Sequence, residues 1–249
     1  MTREEAIAAG LPYFGPELQA NQGDNHFRHF PALVALALES PQHGWPFRVL
    51  EVGSWAGNSL IAWAKAAPPD ATFTAVDAWK PYLPGGTAWP HYDIMSRAAL
   101  TGGIEQLFWH NISASGIDPR RFYVRKGDSR EILQMFARES YDIAFIDGDH
   151  RYKIVREDIN ACMGLVRVGG ILCGDDLDRQ LSDLDPDEHK EIMAIDEEVA
   201  TTRSGLCYHH GVVQAVHDYF GRVTCFETRL WAVRKTATGW ENVPADTRG

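Results

Sequence analysis

The chain has 249 residues, a formal net charge of -10, and is 45% hydrophobic and 23% charged. That profile suits one globular α/β core; the acidity reads as solubility, and without a basic face nucleic acid is excluded as a partner. No apolar stretch approaches about 18 residues, which excludes a spanning helix. The opening MTREEAIAAGLPYFGPE carries early acids and no signal-peptide core, and Cys162, Cys173, Cys207 and Cys225 show no CxxC spacing, so a reduced cytoplasmic protein is expected.

Residues 1–27 read as irregular, with Pro12, Gly15, Pro16 and Gly23 breaking any period. Phe30 to Glu39 predicts a buried helix, broken between Pro41 and Pro46. Phe47 to Val52 predicts a strand, Gly53 to Gly57 a glycine-bearing turn, Ser59 to Ala66 a helix, and Ala71 to Val76 a second strand ending at Asp77. That order is a βαβ unit, hence a parallel sheet with a right-handed crossover. Lys80 to Gly103 departs from the pattern: Trp79, Tyr82, Trp89, His91 and Tyr92 stand among Pro and Gly, so a lid or substrate loop over 80–104 is expected. Glu105 to Ser115 predicts a helix, Phe122 to Arg125 a strand, Ser129 to Arg138 a helix, Ile143 to Asp147 a strand, Tyr152 to Leu165 a helix and Gly169 to Gly174 a strand. The acidic run Asp178 to Glu198 reads as a solvated loop leading into a helix. Gly211 to Phe220 predicts a helix, and Val223 to Glu227 with Leu230 to Arg234 a closing hairpin. One domain over 1–249 results, with residues 1–46 as an extension.

Two apolar runs end in acids: FIDGDH over 145–150 and GGILCGDD over 169–176. Read as buried strands of a parallel sheet, they bring Asp147, Asp149, Asp175 and Asp176 to one crevice at their carboxyl ends. Carboxylates that close repel unless something positive lies among them. A hard divalent cation held by oxygen ligands answers that need.

The run Glu51-Val52-Gly53-Ser54-Trp55-Ala56-Gly57 follows the first strand and opens a helix. Gly53 and Gly57 let backbone approach a ligand, but the spacing is GxxxG rather than the GxGxxG of dinucleotide folds, which argues against nicotinamide. Asp77 ends the second strand, where a carboxylate can accept both hydroxyls of a ribose.

These residues carry a resemblance. Glu51 to Gly57, acidic Asp77, and Gly127-Asp128-Ser129 after the third strand resemble the motifs of class I S-adenosylmethionine-dependent methyltransferases. EVGSWAG, FIDGDHRY, GGILCGDD and HHGVVQAV resemble, within that superfamily, the macrocin O-methyltransferase-like group and its cephalosporin-hydroxylase-like relatives. The resemblance spans about Phe47 to Lys235. It implies a Rossmann-like, doubly wound, mostly parallel seven-stranded sheet with one antiparallel C-terminal strand. The cofactor would be S-adenosyl-L-methionine, bound by Glu51, Gly53, Ser54, Trp55, Gly57, Ser59, Asp77, Ala78, Gly127, Asp128, Ser129 and Asp147. Mg2+ would sit on Asp147, Asp175 and Asp176.

The chemistry expected is methyl transfer to a hydroxyl of a small molecule, a sugar or a phenolic natural product. A hydroxyl is a poor nucleophile at neutral pH; a cation lowers its pKa and a base removes its proton. His150 and Asp149 are the candidate bases. Imidazole titrates nearer neutrality, and the resemblance does not choose between them. Two rivals stay open: a metal-independent N- or carboxyl-methyltransferase, and a cofactor-binding auxiliary protein without turnover. Oligomeric state is open too, with the N-terminal segment available as a homo-oligomer interface or a lid.

Overall fold

The backbone alternates strand and helix, as the apolar periodicity demands. In the computed structural model, which describes residues 1–18, 23–43, 45–81, 90–101, 103–195 and 197–244, the elements in chain order are α1 (Arg3–Ala8), α2 (Gly23–His26), α3 (Phe30–Leu38), β1 (Arg48–Val52), α4 (Asn58–Ala66), β2 (Thr72–Asp77), α5 (Pro90–Leu100), α6 (Gly103–Ala114), β3 (Phe122–Lys126), α7 (Ser129–Ile132), β4 (Tyr141–Ile146), α8 (Tyr152–Leu165) and β5 (Val166–Gly174). There follow α9 (Pro186–Ile192), β6 (Ala200–Thr201), β7 (Cys207–Tyr208), α10 (His210–Phe220), β8 (Thr224–Cys225), β9 (Trp231–Lys235) and β10 (Trp240–Asn242).

The central sheet runs β10-β9-β5-β4-β1-β2-β3. β1 to β5 are mutually parallel, and β9 lies antiparallel to β5. β9 is the expected reversed strand. Its outer edge is shared by two short pieces, β8 against Trp231 and Ala232 and β10 against Val233 to Lys235, joined where Asn242 Oδ1 accepts from Thr224 N at 3.0 Å. β8 and β9 form the closing hairpin read from the sequence; β10 was not foreseen.

Alternate residues of each strand feed two cores. Val49, Phe73, Phe145 and Ile171 face α3, α4 and α6, where Phe30 stacks on Trp63 at 3.6 Å. Leu50, Val76, Ile146 and Leu172 face α8 and α10. A sheet covered on both faces needs near-continuous apolar strands, which is why β1, β4 and β5 were legible.

Several boundaries moved. The helix expected over Ser129 to Arg138 is one α-turn, α7, followed by a 3-10 turn over Leu133–Met135. The N-terminal stretch read as irregular holds α1, capped by Thr2 and Glu5 in a capping box, and the short α2. Of the segment read as a lid, 82–89 (with Tyr82 and Trp89) and 102 lie outside the described residues, while α5 and α6 form a helical pair. Among the described residues no helix is long and apolar enough to cross a membrane.

Candidate active site

The carboxyl ends of β1 to β5 finish at one edge, locked by backbone hydrogen bonds that carry the ladder one residue past each strand. Gly53 N donates to Val76 O at 2.9 Å, Gly127 N to Asp77 O at 2.9 Å, Asp147 N to Val52 O at 2.8 Å, and Asp175 N to Ile146 O at 3.1 Å. Gly53, Asp77, Gly127, Asp147 and Asp175 therefore stand along this rim.

The glycine turn is built by close approach. Gly53 has φ 85°, and a Cβ there would stand 2.0 Å from the Asp147 carbonyl oxygen. The turn packs directly on the end of β4, and only glycine fits. Asp77 braces it: Oδ2 accepts from Ser54 N at 2.9 Å and Trp55 N at 2.7 Å, and Oδ1 from Trp79 N at 2.6 Å. Burial raises the Asp77 pKa, and these three N–H groups pull it back. Trp55 roofs the turn at φ 44° and donates its indole N–H to Leu18 O at 2.8 Å.

Beside the turn opens a cavity of about 240 Å³, lined among others by Gly53, Trp55, Asp77, Ala78, Gly127 and Ser129. These residues and Asp128, which also lines it, were expected at the cofactor, whereas Ser54, Gly57 and Asp147 do not line the cavity; Asp149 and Arg151 line it as well. Asp128 caps α7 by accepting from Arg130 N at 3.0 Å, and its carboxylate is paired with the Arg130 guanidinium. Glu51 and Ser59 are buried instead. Burial pushes Glu51 up to about 8, with Ser54 and Ser59 only partly offsetting it.

Asp158 was missed. It lines the same cavity from α8, is 1% exposed, and burial pushes it up to about 7 against the Ser129 hydroxyl. Its Oδ1 is without a partner among the described residues. A cavity edged by Asp77, Asp128, Asp149 and Asp158, with Asp158 Oδ1 unmet, suits a ligand rich in hydroxyl and amino donors. S-adenosylmethionine has that donor set, and the residues fit it.

Beside the end of β4, oxygens of Asp147, Asp175 and Asp176 all lie within 4.8 Å of one another. The left-handed backbone of Asp176, φ 61°, turns two consecutive carboxylates toward β4. Burial and the two neighbouring acids raise Asp147 to about 7, although His150 opposes them. Three converging oxygen donors that repel one another fit a hard divalent cation.

Protein cations ring this cluster. His150 Nε2 stands 3.2 Å from Asp176 Oδ2 and 3.6 Å from Asp147 Oδ1. Arg229 Nη1 stands 2.9 Å from Asp176 Oδ1 and 3.2 Å from Asp178 Oδ1. His209 Nδ1 meets Asp178 Oδ2 at 2.7 Å, whereas His210 turns into the core and reaches Ile195 O, so the adjacent histidines diverge as expected. Burial works against the charged form of Asp176, yet His209, His150 and Arg229 hold its carboxyl below the ordinary range.

The acidic run expected to be solvated turns inward at both ends. Asp178 joins the cluster, and Glu198, 1% exposed, accepts from His150 N at 2.6 Å with His150 Nδ1 at 3.2 Å. Asp149 faces away from the carboxylates: Arg151 donates Nε to both its oxygens, at 3.0 and 3.1 Å, and outweighs burial to keep it below the ordinary carboxylate range.

Solved structures of similar shape include the O-methyltransferase TomG from Streptomyces achromogenes, involved in tomaymycin synthesis and in complex with SAM. It is 18% identical, with 94% of this chain and 91% of that one covered and a TM-score of 0.51. An O-methyltransferase from Bacillus cereus in complex with SAH is 16% identical over 93% and 88%, TM-score 0.42. The TomG likeness speaks for the fold alone, and the Bacillus overlap is too low to argue from. Comparison with curated proteins gives no match. The profile of a methyltransferase domain matches residues 50–177, a stretch that runs from β1 through both acid-tipped strand ends; the chain belongs to that methyltransferase family.

Proposed function

We propose that the protein is an S-adenosylmethionine-dependent O-methyltransferase that acts, with a divalent cation such as Mg2+, on a hydroxyl of a small molecule, a sugar or a phenolic natural product. One observation carries the reading: the cavity beside the glycine turn and the three-carboxylate cluster adjoin across Gly53 and Asp147, whose backbones are in contact. A methyl donor and a cation-bound acceptor need that adjacency, because displacement is in line and at close range.

When bound, the cofactor supplies an electrophilic methyl group, and the cation on Asp147, Asp175 and Asp176 lowers the acceptor hydroxyl's pKa. The chain does the rest. Asp77 and Gly53 hold the turn against which the cofactor lies. His150 is the base we favour. Burial works against the charged ring, yet Asp147, Asp176 and Glu198 hold the His150 imidazole well above its ordinary pKa; a cation on Asp147 and Asp176 would offset that hold and free Nε2, the atom facing them, to take a proton, while Glu198 keeps the ring fixed at Nδ1. The Arg151 clamp makes Asp149 the weaker candidate, because a carboxylate in a bidentate ion pair is a poor proton acceptor.

The test is methyl transfer from labelled S-adenosylmethionine to a panel of catechols, vicinal diols and glycosides. The expected result is transfer that stops with EDTA and returns with Mg2+. Transfer indifferent to EDTA would favour a metal-independent enzyme. Calorimetric cofactor binding with no transfer to any acceptor would favour an auxiliary binding protein.

A further inference from the structure

We infer that His26, carried by the N-terminal segment, is a positioning residue for the cation site, so that this segment is part of the site rather than an appendage. The inference rests on the cation reading above. His26 Nε2 lies 2.6 Å from Asp175 Oδ2, and the side chains are 15% and 2% exposed. A contact this sheltered differs from a surface ion pair, which solvent would screen. The other Asp175 oxygen, Oδ1, accepts from Asp176 N at 2.8 Å. Both oxygens are thus oriented by donors, and each keeps a lone pair for a cation.

The described residues on both sides of 19–22 in the segment that carries His26 are fastened. Asn111, fully buried on α6, accepts from Tyr13 N at 2.8 Å and donates Nδ2 to Tyr13 O at 3.0 Å and to Ala56 O in the glycine turn at 2.9 Å. Trp55 holds Leu18 O. Beyond His26, Phe27 packs on Phe30 at 5.1 Å, His29 stacks on Phe226 at 4.3 Å, and Arg28 pairs with Glu227 at 2.5 Å. The imidazole is therefore delivered from a fixed backbone. Hydrogen bonds to a ligating carboxylate fix its orientation, and their loss costs about 10- to 100-fold in metal affinity.

The experiment titrates Mn2+ into the full chain without cofactor, with free ion read by electron paramagnetic resonance. The wild-type protein should bind one ion, and His26→Ala should bind it about 10- to 100-fold more weakly. His26→Gln, whose side-chain amide keeps a donor at similar reach, should recover most of that loss. Equal Mn2+ affinity in wild type and His26→Ala overturns the role of His26 and leaves the cation reading intact. Equal weakness in His26→Gln and His26→Ala overturns the hydrogen-bond basis. No binding by the wild-type protein overturns the cation reading and the inference with it.

Discussion

The two halves of the crevice handle buried acids in opposite ways. At the cofactor end Glu51, Asp77 and Asp158 are all raised, with burial as the leading cause; backbone N–H groups or hydroxyls restrain it without cancelling it. At the acceptor end Asp176 and Asp178 are lowered, because histidine and arginine side chains outweigh burial; Asp128 and Asp149, which line the cavity on the cofactor side, are lowered too by their paired arginines. Backbone N–H groups hold Asp77 and serine hydroxyls act on Glu51 and Asp158, whereas charged side chains hold Asp176 and Asp178. Asp147 sits on the seam, raised like the first group and ringed like the second. The lesson is that acids held by backbone groups and acids held by side-chain charges stand side by side along one rim; on the proposed reading, a cation would take over part of the counter-charge that His150, His209 and Arg229 supply.

The comparison can be broken most severely at the seam. Replacing Asp147 and Asp175 together by Asn should cut methyl transfer about a thousandfold or more and abolish its Mg2+ dependence, since a metal's contribution to such a step is several kcal/mol. Full activity in that double variant would sink the cation reading. Next in size, Gly53→Ala should cost about 3 kcal/mol or more in a denaturant melt, because the new Cβ meets the Asp147 carbonyl and the backbone is left-handed. An unchanged midpoint would mean that the turn can move off β4.

A third test sharpens the cofactor half. The pKa of Asp158 is raised to about 7 from an ordinary value of 3.8, so the folded state binds the extra proton between those values. Stability from this group is therefore present at low pH and falls as pH rises toward 7. Asp158→Asn should melt higher than wild type at pH 8, by about 2 kcal/mol, with the gap shrinking toward pH 5. A gap that widens at acid pH would contradict the assignment. The smallest effects distinguish the two modes of compensation. Asp77→Asn should cost about 1–2 kcal/mol, little changed by salt, because it loses charge-assisted backbone hydrogen bonds in a sheltered turn. Arg229→Gln should cost under about 1 kcal/mol, and less in high salt, since its side chain is 44% exposed. Equal salt dependence in the two variants would erase the distinction.

What was legible follows from chemistry that repeats along the chain. Buried parallel strands need apolar runs, and turns at their ends need Gly and Asp, so β1, β2, β4, β5 and their acids could be read directly. Asp158 could not, because an acid between Val155 and Ile159 in an amphipathic helix looks like any surface charge. Its inward aim depends on how α8 crosses the end of β4. Glu198 was hidden in a run of acids whose composition predicts solvation, although Val199 and Ala200 beside it are buried, an apolar signal that could have been used. His26 lacked any signal: it stands in a stretch without period, far in sequence from Asp175. The short β10 was invisible for want of length.

The reversed β9 has a consequence for how the molecule comes into being. Synthesis proceeds from the amino end, so the glycine turn, both acid-tipped strands and Asp158 exist before Glu198, His209 and Arg229 have been made. Until the hairpin of β8 and β9 docks on β5, His26, Arg151 and His150 are among the groups that balance the nascent acids. The crevice is thus assembled last at its acceptor side, where His209, at the start of α10, and then Arg229, in the turn between β8 and β9, reach Asp176.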